Sequence, residues 1–130
     1  MHRSRLTSIL IDCAEEDFDR GVEFWSGALG KAALLEEGGR YVSIRGRVGG
    51  DGGPFVVLQR VPAEERAIHL DIESDDVEAE VLRLEKLGAT LKARIGRHVV
   101  MSAPSGHAFC VVPQSRTDFE GHAAVWQDDA

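Results

Sequence analysis

The chain has 130 residues, of which 43% are hydrophobic, enough for a single packed core and too few for two independent domains. Fifteen basic residues against 22 acidic ones leave a formal charge of −7. That balance argues against nucleic acid and anionic membrane surfaces as partners, because both require clustered positive charge.

Met1-His2-Arg3-Ser4-Arg5 is followed by no apolar run of signal-peptide length, and no segment is long enough to span a bilayer. The expected location is the cytoplasm. The two cysteines, Cys13 and Cys110, sit in strand-like surroundings without metal-motif spacing, which predicts reduced, buried thiols.

In chain order, Leu6 to Cys13 predicts a strand with Ile9 and Ile11 on one side and Ser8, Leu10 and Asp12 on the other. After Glu15-Glu16-Asp17, apolar residues recur at Phe18, Val22, Trp25 and Leu29, the spacing of an amphipathic helix, with Gly30 as its C-terminal cap. Short strands are expected over 32–36, 40–45 and 54–60, separated by Gly38-Gly39 and by the glycine-rich run 49–53. No Lys-Ser/Thr pair follows that run and a strand comes next, so it predicts a flexible turn and not a phosphate cradle.

Ile68, Leu70 and Ile72 alternate with His69, Asp71 and Glu73, which predicts a strand with one face in the core. Asp75 with Glu78 three residues on has the spacing of a capping box, and Val77, Val81, Leu84 and Leu87 form the stripe of a second helix ending at Gly88. Strands are expected over 90–95, 97–102 and 107–112, with Pro104-Ser105-Gly106 as a turn. Each half therefore reads strand, helix, strand, strand, strand. Residues 114–130 fall outside this repeat. Phe119 and Trp126 are placed to dock the tail on the domain or on a second subunit, and Asp128-Asp129 is expected to fray.

The order of these elements resembles the vicinal oxygen chelate superfamily, which includes glyoxalase I, bleomycin-resistance proteins and extradiol dioxygenases. The resemblance is carried by Phe24-Trp25 with Ala28-Leu29-Gly30, His69-Leu70-Asp71-Ile72, Leu84 to Ala89, Ala103-Pro104-Ser105-Gly106-His107 and Phe109-Cys110-Val111-Val112, and it spans about residues 5 to 113. It is strongest for the small glyoxalase-like domains. It implies an α+β fold of two tandem βαβββ modules, about 5–62 and 67–113, whose curled mixed sheet forms a cup with the helices outside. A small molecule would bind in that cup, and a homodimer would be the working assembly.

Metal-dependent members hold a divalent ion (Zn, Ni, Mn or Fe) with side chains from the first and last strands of each module, and the ion then acts as a Lewis acid on the substrate. His69 stands where the second module supplies its imidazole. The matching position of the first strand is Ser8, the last strand offers Cys110, and the last strand of the first module offers Gln59 or Val57. One imidazole, one amide and one thiol fall short of three strong ligands. The expectation is therefore a metal-independent small-molecule-binding protein of the glyoxalase and bleomycin-resistance type, contacting its ligand through His69, Gln59, Ser8, Cys110, Asp71, Tyr41 and His98. The alternative is a metal-dependent lyase, isomerase or dioxygenase using His69, Gln59 and Cys110. Asp12, Asp71 and Glu73 would give the cup an acidic lining favouring cationic ligands.

Overall fold

A computed structural model describes residues 1–36, 38–45, 53–65 and 67–127. The chain divides into two compact units, Ser8–His69 and Met1–Thr7 with Leu70–Ala130. Most of the glycine-rich run and the Asp128-Asp129 end lie outside the described residues.

The unit Ser8–His69 contains the greater part of β1 (His2–Ala14), then α1 (Glu15–Leu29), β2 (Ala33–Leu35), β3 (Tyr41–Ile44) and β4 (Phe55–Val61). The strand order is β2-β3-β4-β1, with β1 parallel to β4 and the other neighbours antiparallel. Ala14 offers α1 no side-chain cap, so the acidic first turn at Glu15, Glu16 and Asp17 is what complements the helix dipole. At the other end Gly30 takes φ 67°, the left-handed conformation that closes the helix at no steric cost. Buried Phe18 and half-buried Val22 and Trp25 pack with Ile11, Cys13, Val42, Ile44, Val56 and Leu58, whereas Leu29, expected on the same stripe, is exposed. A Cβ on Gly21 would lie 3.2 Å from Leu58, so the helix sits close against β4.

The other unit repeats the plan with β5 (Ile68–Ser74), α2 (Val77–Lys86), β6 (Thr90–Ile95), β7 (His98–Ser102) and β8 (Ala108–Pro113). Its order is β5-β8-β7-β6, and its first strand again runs parallel to its last. Val81 and Leu84 of α2 pack on Ala89, Val99, Met101 and Val111. The N-cap is Asp76, whose carboxylate accepts from the Ala79 N–H at 3.1 Å, one residue later than the capping-box pattern suggests. The class is α+β with two βαβββ modules, as the resemblance implies.

Two features of this unit depart from the repeat. The first residues of β1 carry an added strand, β9 (Ala124–Trp126), paired antiparallel with His2 opposite Trp126 and Ser4 opposite Ala124. The tail thus docks on its own chain, with Phe119 buried. A polar clasp holds it: Glu80, fully buried on α2, accepts from His2 Nε2 at 2.8 Å and from Arg83 Nε and Nη2 at 2.8 and 2.9 Å. Arg83 stacks 3.8 Å over the Trp126 ring, and the indole N–H donates to Ser4 Oγ at 2.9 Å.

Burial pushes the Glu80 carboxyl up, but the hydrogen bonds from Arg83, His2 and Ser4 outweigh it and hold the group below its ordinary value of 4.5. A carboxyl depressed in the folded state binds fewer protons there than in the unfolded chain. Its contribution to stability is therefore complete above the ordinary value and is lost as pH falls through the folded one. Urea unfolding from pH 7 downward is expected to show a loss of stability below about pH 5 that is shallower in Glu80→Gln than in the native chain. Parallel curves would assign the acid sensitivity elsewhere.

Candidate functional site

The polar residues of interest in the unit Ser8–His69 lie on the sheet face opposite α1. Ile11, Cys13, Leu58 and Val42 pack toward the helix, so strand alternation turns Asp12, Gln59 and Tyr41 to the other side. Register sets them in one row, with Gln59 paired to Asp12 on one side and to Tyr41 on the other. His69, in the first residues of β5, joins the row through Nδ1, 2.9 Å from Asp12 Oδ2.

Asp12 is the hub. Its backbone N–H donates to the Ala67 carbonyl at 2.8 Å, which ties this part of β1 to the residues just before β5. The amide orientation that satisfies Gln59 donates to Asp12 Oδ1 at 3.0 Å and accepts from Arg40 Nη2 and Nε at 2.8 and 3.0 Å. The amide atom facing Arg40 also lies 3.4 Å from the Tyr41 hydroxyl. Both oxygens of Asp12 are thereby engaged, and its side chain is only 9% exposed against 22% for His69. Burial pushes the Asp12 carboxyl up, and the charge and hydrogen bond of His69, then the charge of Arg40, pull it down without cancelling the rise. A carboxylate on Nδ1 favours the tautomer with its proton there and leaves the lone pair on Nε2.

Ser8 shares this face but pairs with Phe55, four residues along β1 from Asp12. Val57, the alternative to Gln59, also faces this way and pairs with Leu10. In the other unit Asp71 and Cys110 are register partners, and Cys110 pairs in turn with Val100. They occupy the face opposite α2, since Ile72, Val99 and Val111 pack toward that helix. His98 is an exposed residue at the start of β7, opposite Ile95. Neither cysteine is in a disulfide among the described residues, and both are half-buried, not fully buried as the strand contexts suggest.

Two of the three carboxylates expected to form an acidic lining are engaged by groups of this chain. Asp12 is hydrogen-bonded to His69 and Gln59, and Glu73 is fully buried against Arg5, with Nε to Oε2 at 2.7 Å. Both carboxylates already hold hydrogen-bond partners from this chain. In the same unit as Glu73, a cleft of about 450 Å³ is lined by Ser74 to Glu78, Arg94, Arg97, Val99 and Gln114. It lies on the helix side of the sheet and contains none of the ligand-contacting residues expected from sequence.

A divalent ion of the kind the superfamily implies fits this donor set poorly. Among the described residues no three of His, Cys, Asp and Glu come together. Where a ligand carbonyl would be needed, the Gln59 oxygen already accepts from a guanidinium, and a fixed cation beside it opposes a second one. The position matching His69 in the first strand carries only the Ser8 hydroxyl, a weak ligand beside imidazole.

Sequence put Asp12 forward as part of an acidic lining and not as the partner of His69, and it missed Arg40. Asp12 is the lone charge in an otherwise apolar stretch of β1, and that isolation was the available signal for its part in holding His69. Arg40 precedes a short strand, and nothing local marks it.

Over residues 8–112 the sequence matches the glyoxalase-like domain family. The chain belongs to that family. Its repeated modules also place this glyoxalase-like domain in the vicinal oxygen chelate superfamily. Among solved structures it is similar to an NAD-dependent benzaldehyde dehydrogenase from Legionella pneumophila, with TM-score 0.60 and 12% identity over 83% of this chain and 98% of that one. It is also similar to 2,2',3-trihydroxybiphenyl 1,2-dioxygenase from Sphingomonas wittichii, with TM-score 0.58 and 17% identity over 87% of this chain. A third is homoprotocatechuate 2,3-dioxygenase from Arthrobacter globiformis, with TM-score 0.56 and 17% identity over 86% of this chain. The matches cover 41% and 36% of the two dioxygenase chains, so the domain spans less than half of either. At these identities the likeness is one of fold. A search of curated proteins finds no match. Among the described residues no helix is long and apolar enough to cross a membrane.

Proposed function

We propose that this glyoxalase-like domain binds a small organic molecule on the face that carries Asp12, Gln59, Tyr41 and His69, without the superfamily's metal. The observation that carries the reading is the continuous hydrogen-bonded row from His69 through Asp12 to Gln59 and Arg40. Such a row sets donors and acceptors before a ligand arrives, so less ordering is left to be done on binding. Sequestration of the bleomycin-resistance type needs no more than that, with polar groups setting orientation and neighbouring apolar surface excluding water. The proposed working form is a cytoplasmic homodimer.

The test is a thermal-shift screen against aromatic, cationic and anionic compounds, followed by titration of the hits. Binding raises the melting temperature by mass action. Loss of one hydrogen-bonding partner in His69→Ala is expected to weaken a hit by about 5- to 30-fold, the equivalent of ~1–2 kcal/mol. No hit at all, or equal affinity in His69→Ala, would reject the reading.

One observation favours a metal-dependent lyase, isomerase or dioxygenase instead. Metal-bound histidines commonly hold their other ring nitrogen against a carboxylate, as His69 is held by Asp12. Stoichiometric Zn, Ni, Mn or Fe in protein purified without a polyhistidine tag, absent from His69→Ala, would establish that alternative.

A further inference from the structure

The donor set that fits a metal poorly contains a cation of its own. Two of the five N–H groups of Arg40, on Nε and Nη2, are spent on the Gln59 carbonyl. The guanidinium lies 5.8 Å from the Tyr41 ring centroid, and the residue is exposed to solvent. Its charge reaches the buried end of the row, where it helps pull the Asp12 carboxyl down. Gln59, the residue that resemblance puts forward as a metal ligand, is thus coordinated to an organic cation.

We propose that Arg40 supplies at this face the fixed positive charge that a divalent ion supplies in metal-dependent relatives, and that the molecule bound is a small organic anion with two coplanar oxygens, a carboxylate above all. This rests on the binding role proposed for the same face. The three remaining N–H groups of Arg40 include the Nη1–Nη2 edge, whose fork matches the oxygen pair of a carboxylate. Asp12 does not defeat the attraction, because it lies at the opposite end of the Gln59 amide from Arg40, with both oxygens hydrogen-bonded and its side chain only 9% exposed. Gln59 and Tyr41 hold the guanidinium in place, so little side-chain freedom is lost when an anion arrives.

The experiment is calorimetric titration of the intact protein with benzoate and with benzamide, which have the same shape and differ in charge. The native chain is expected to prefer benzoate by about tenfold, in line with a charge-assisted bidentate pair. Arg40→Met should abolish the preference, Arg40→Lys should keep part of it, and added salt should weaken it. Equal affinity for the two probes, a preference that survives Arg40→Met, or binding of neither probe would overturn the proposal. So would stoichiometric uptake of Zn in equilibrium dialysis of the native chain. If both probes bind alike and both are lost in His69→Ala, the binding role stands and only the assignment of Arg40 falls.

Discussion

Replacing Glu73 with alanine is expected to destabilise the chain by about 3–5 kcal/mol, the range seen when one partner is removed from a buried ion pair. Glu73 is fully buried, and its carboxylate accepts from Arg5 Nε at 2.7 Å and from the backbone N–H groups of Ser115 and Arg116 at 3.0 and 3.3 Å. Asp118 completes the network, taking Arg5 Nη2 at 2.6 Å and Arg116 Nη2 at 2.7 Å. Two guanidiniums therefore face two carboxylates. Removing Glu73 alone leaves a buried cation short of its counter-charge and two amides without their acceptor. Most of the cost is that imbalance and not the worth of the bond itself. The double variant Glu73→Leu with Arg5→Met is therefore expected to be more stable than Glu73→Ala. Urea denaturation of the three proteins checks this, and a loss under about 1 kcal/mol in Glu73→Ala would mean that water reaches the network.

The same network shows what could be read from the sequence and what could not. Alternation along Ile68 to Glu73 holds only in part: Ile72 packs on the core beneath α2, whereas Ile68 and Leu70, expected on the same core face, are exposed and Glu73 is buried. Alternation cannot say that Glu73 is sealed beneath the tail while His69 stays partly open, because that difference comes from Arg5 and Arg116, far away in sequence. The helices were legible for a local reason: Phe18, Val22 and Trp25, like Val81 and Leu84, repeat at helical spacing between clear start and stop residues. β9 was not legible, since Ala124-Val125-Trp126 is too short to show a period and its partner begins with His2, Arg3 and Ser4. Those polar residues suit a strand only because His2 meets Glu80 and Ser4 meets Trp126.

The functional face divides in the same way. That Gln59 and Tyr41 belong with His69 was an expectation from strand position, and register places Gln59 and Tyr41 side by side. The part played by Asp12 required knowing which residues of β1 lie near the start of β5, a tertiary fact. Arg40 required the rotamer of a long side chain, which no pattern encodes.

Truncating Phe18 to alanine is the second large effect, expected at about 3–5 kcal/mol for a buried aromatic ring. The ring is 1% exposed, packs with Val42, Ile44 and Leu58, and has the Arg60 guanidinium 3.9 Å from its centroid. The cavity would open between α1 and the sheet, and the surroundings collapse only in part because β3 and β4 are fixed by their own ladder. For a chain of this length the loss corresponds to a fall in melting temperature of roughly 10–20 °C. Phe18→Leu, which refills much of the volume, should cost less than half as much. The damage should also reach the other face. Val42 and Leu58 are the sequence neighbours of Tyr41 and Gln59, so loosened packing beneath the strands releases the row that holds His69. Hydrogen exchange at the β4 amides should therefore quicken in Phe18→Ala at temperatures where the chain is still folded. Unchanged exchange there, alongside the expected thermal loss, would show that the two faces of the sheet respond independently.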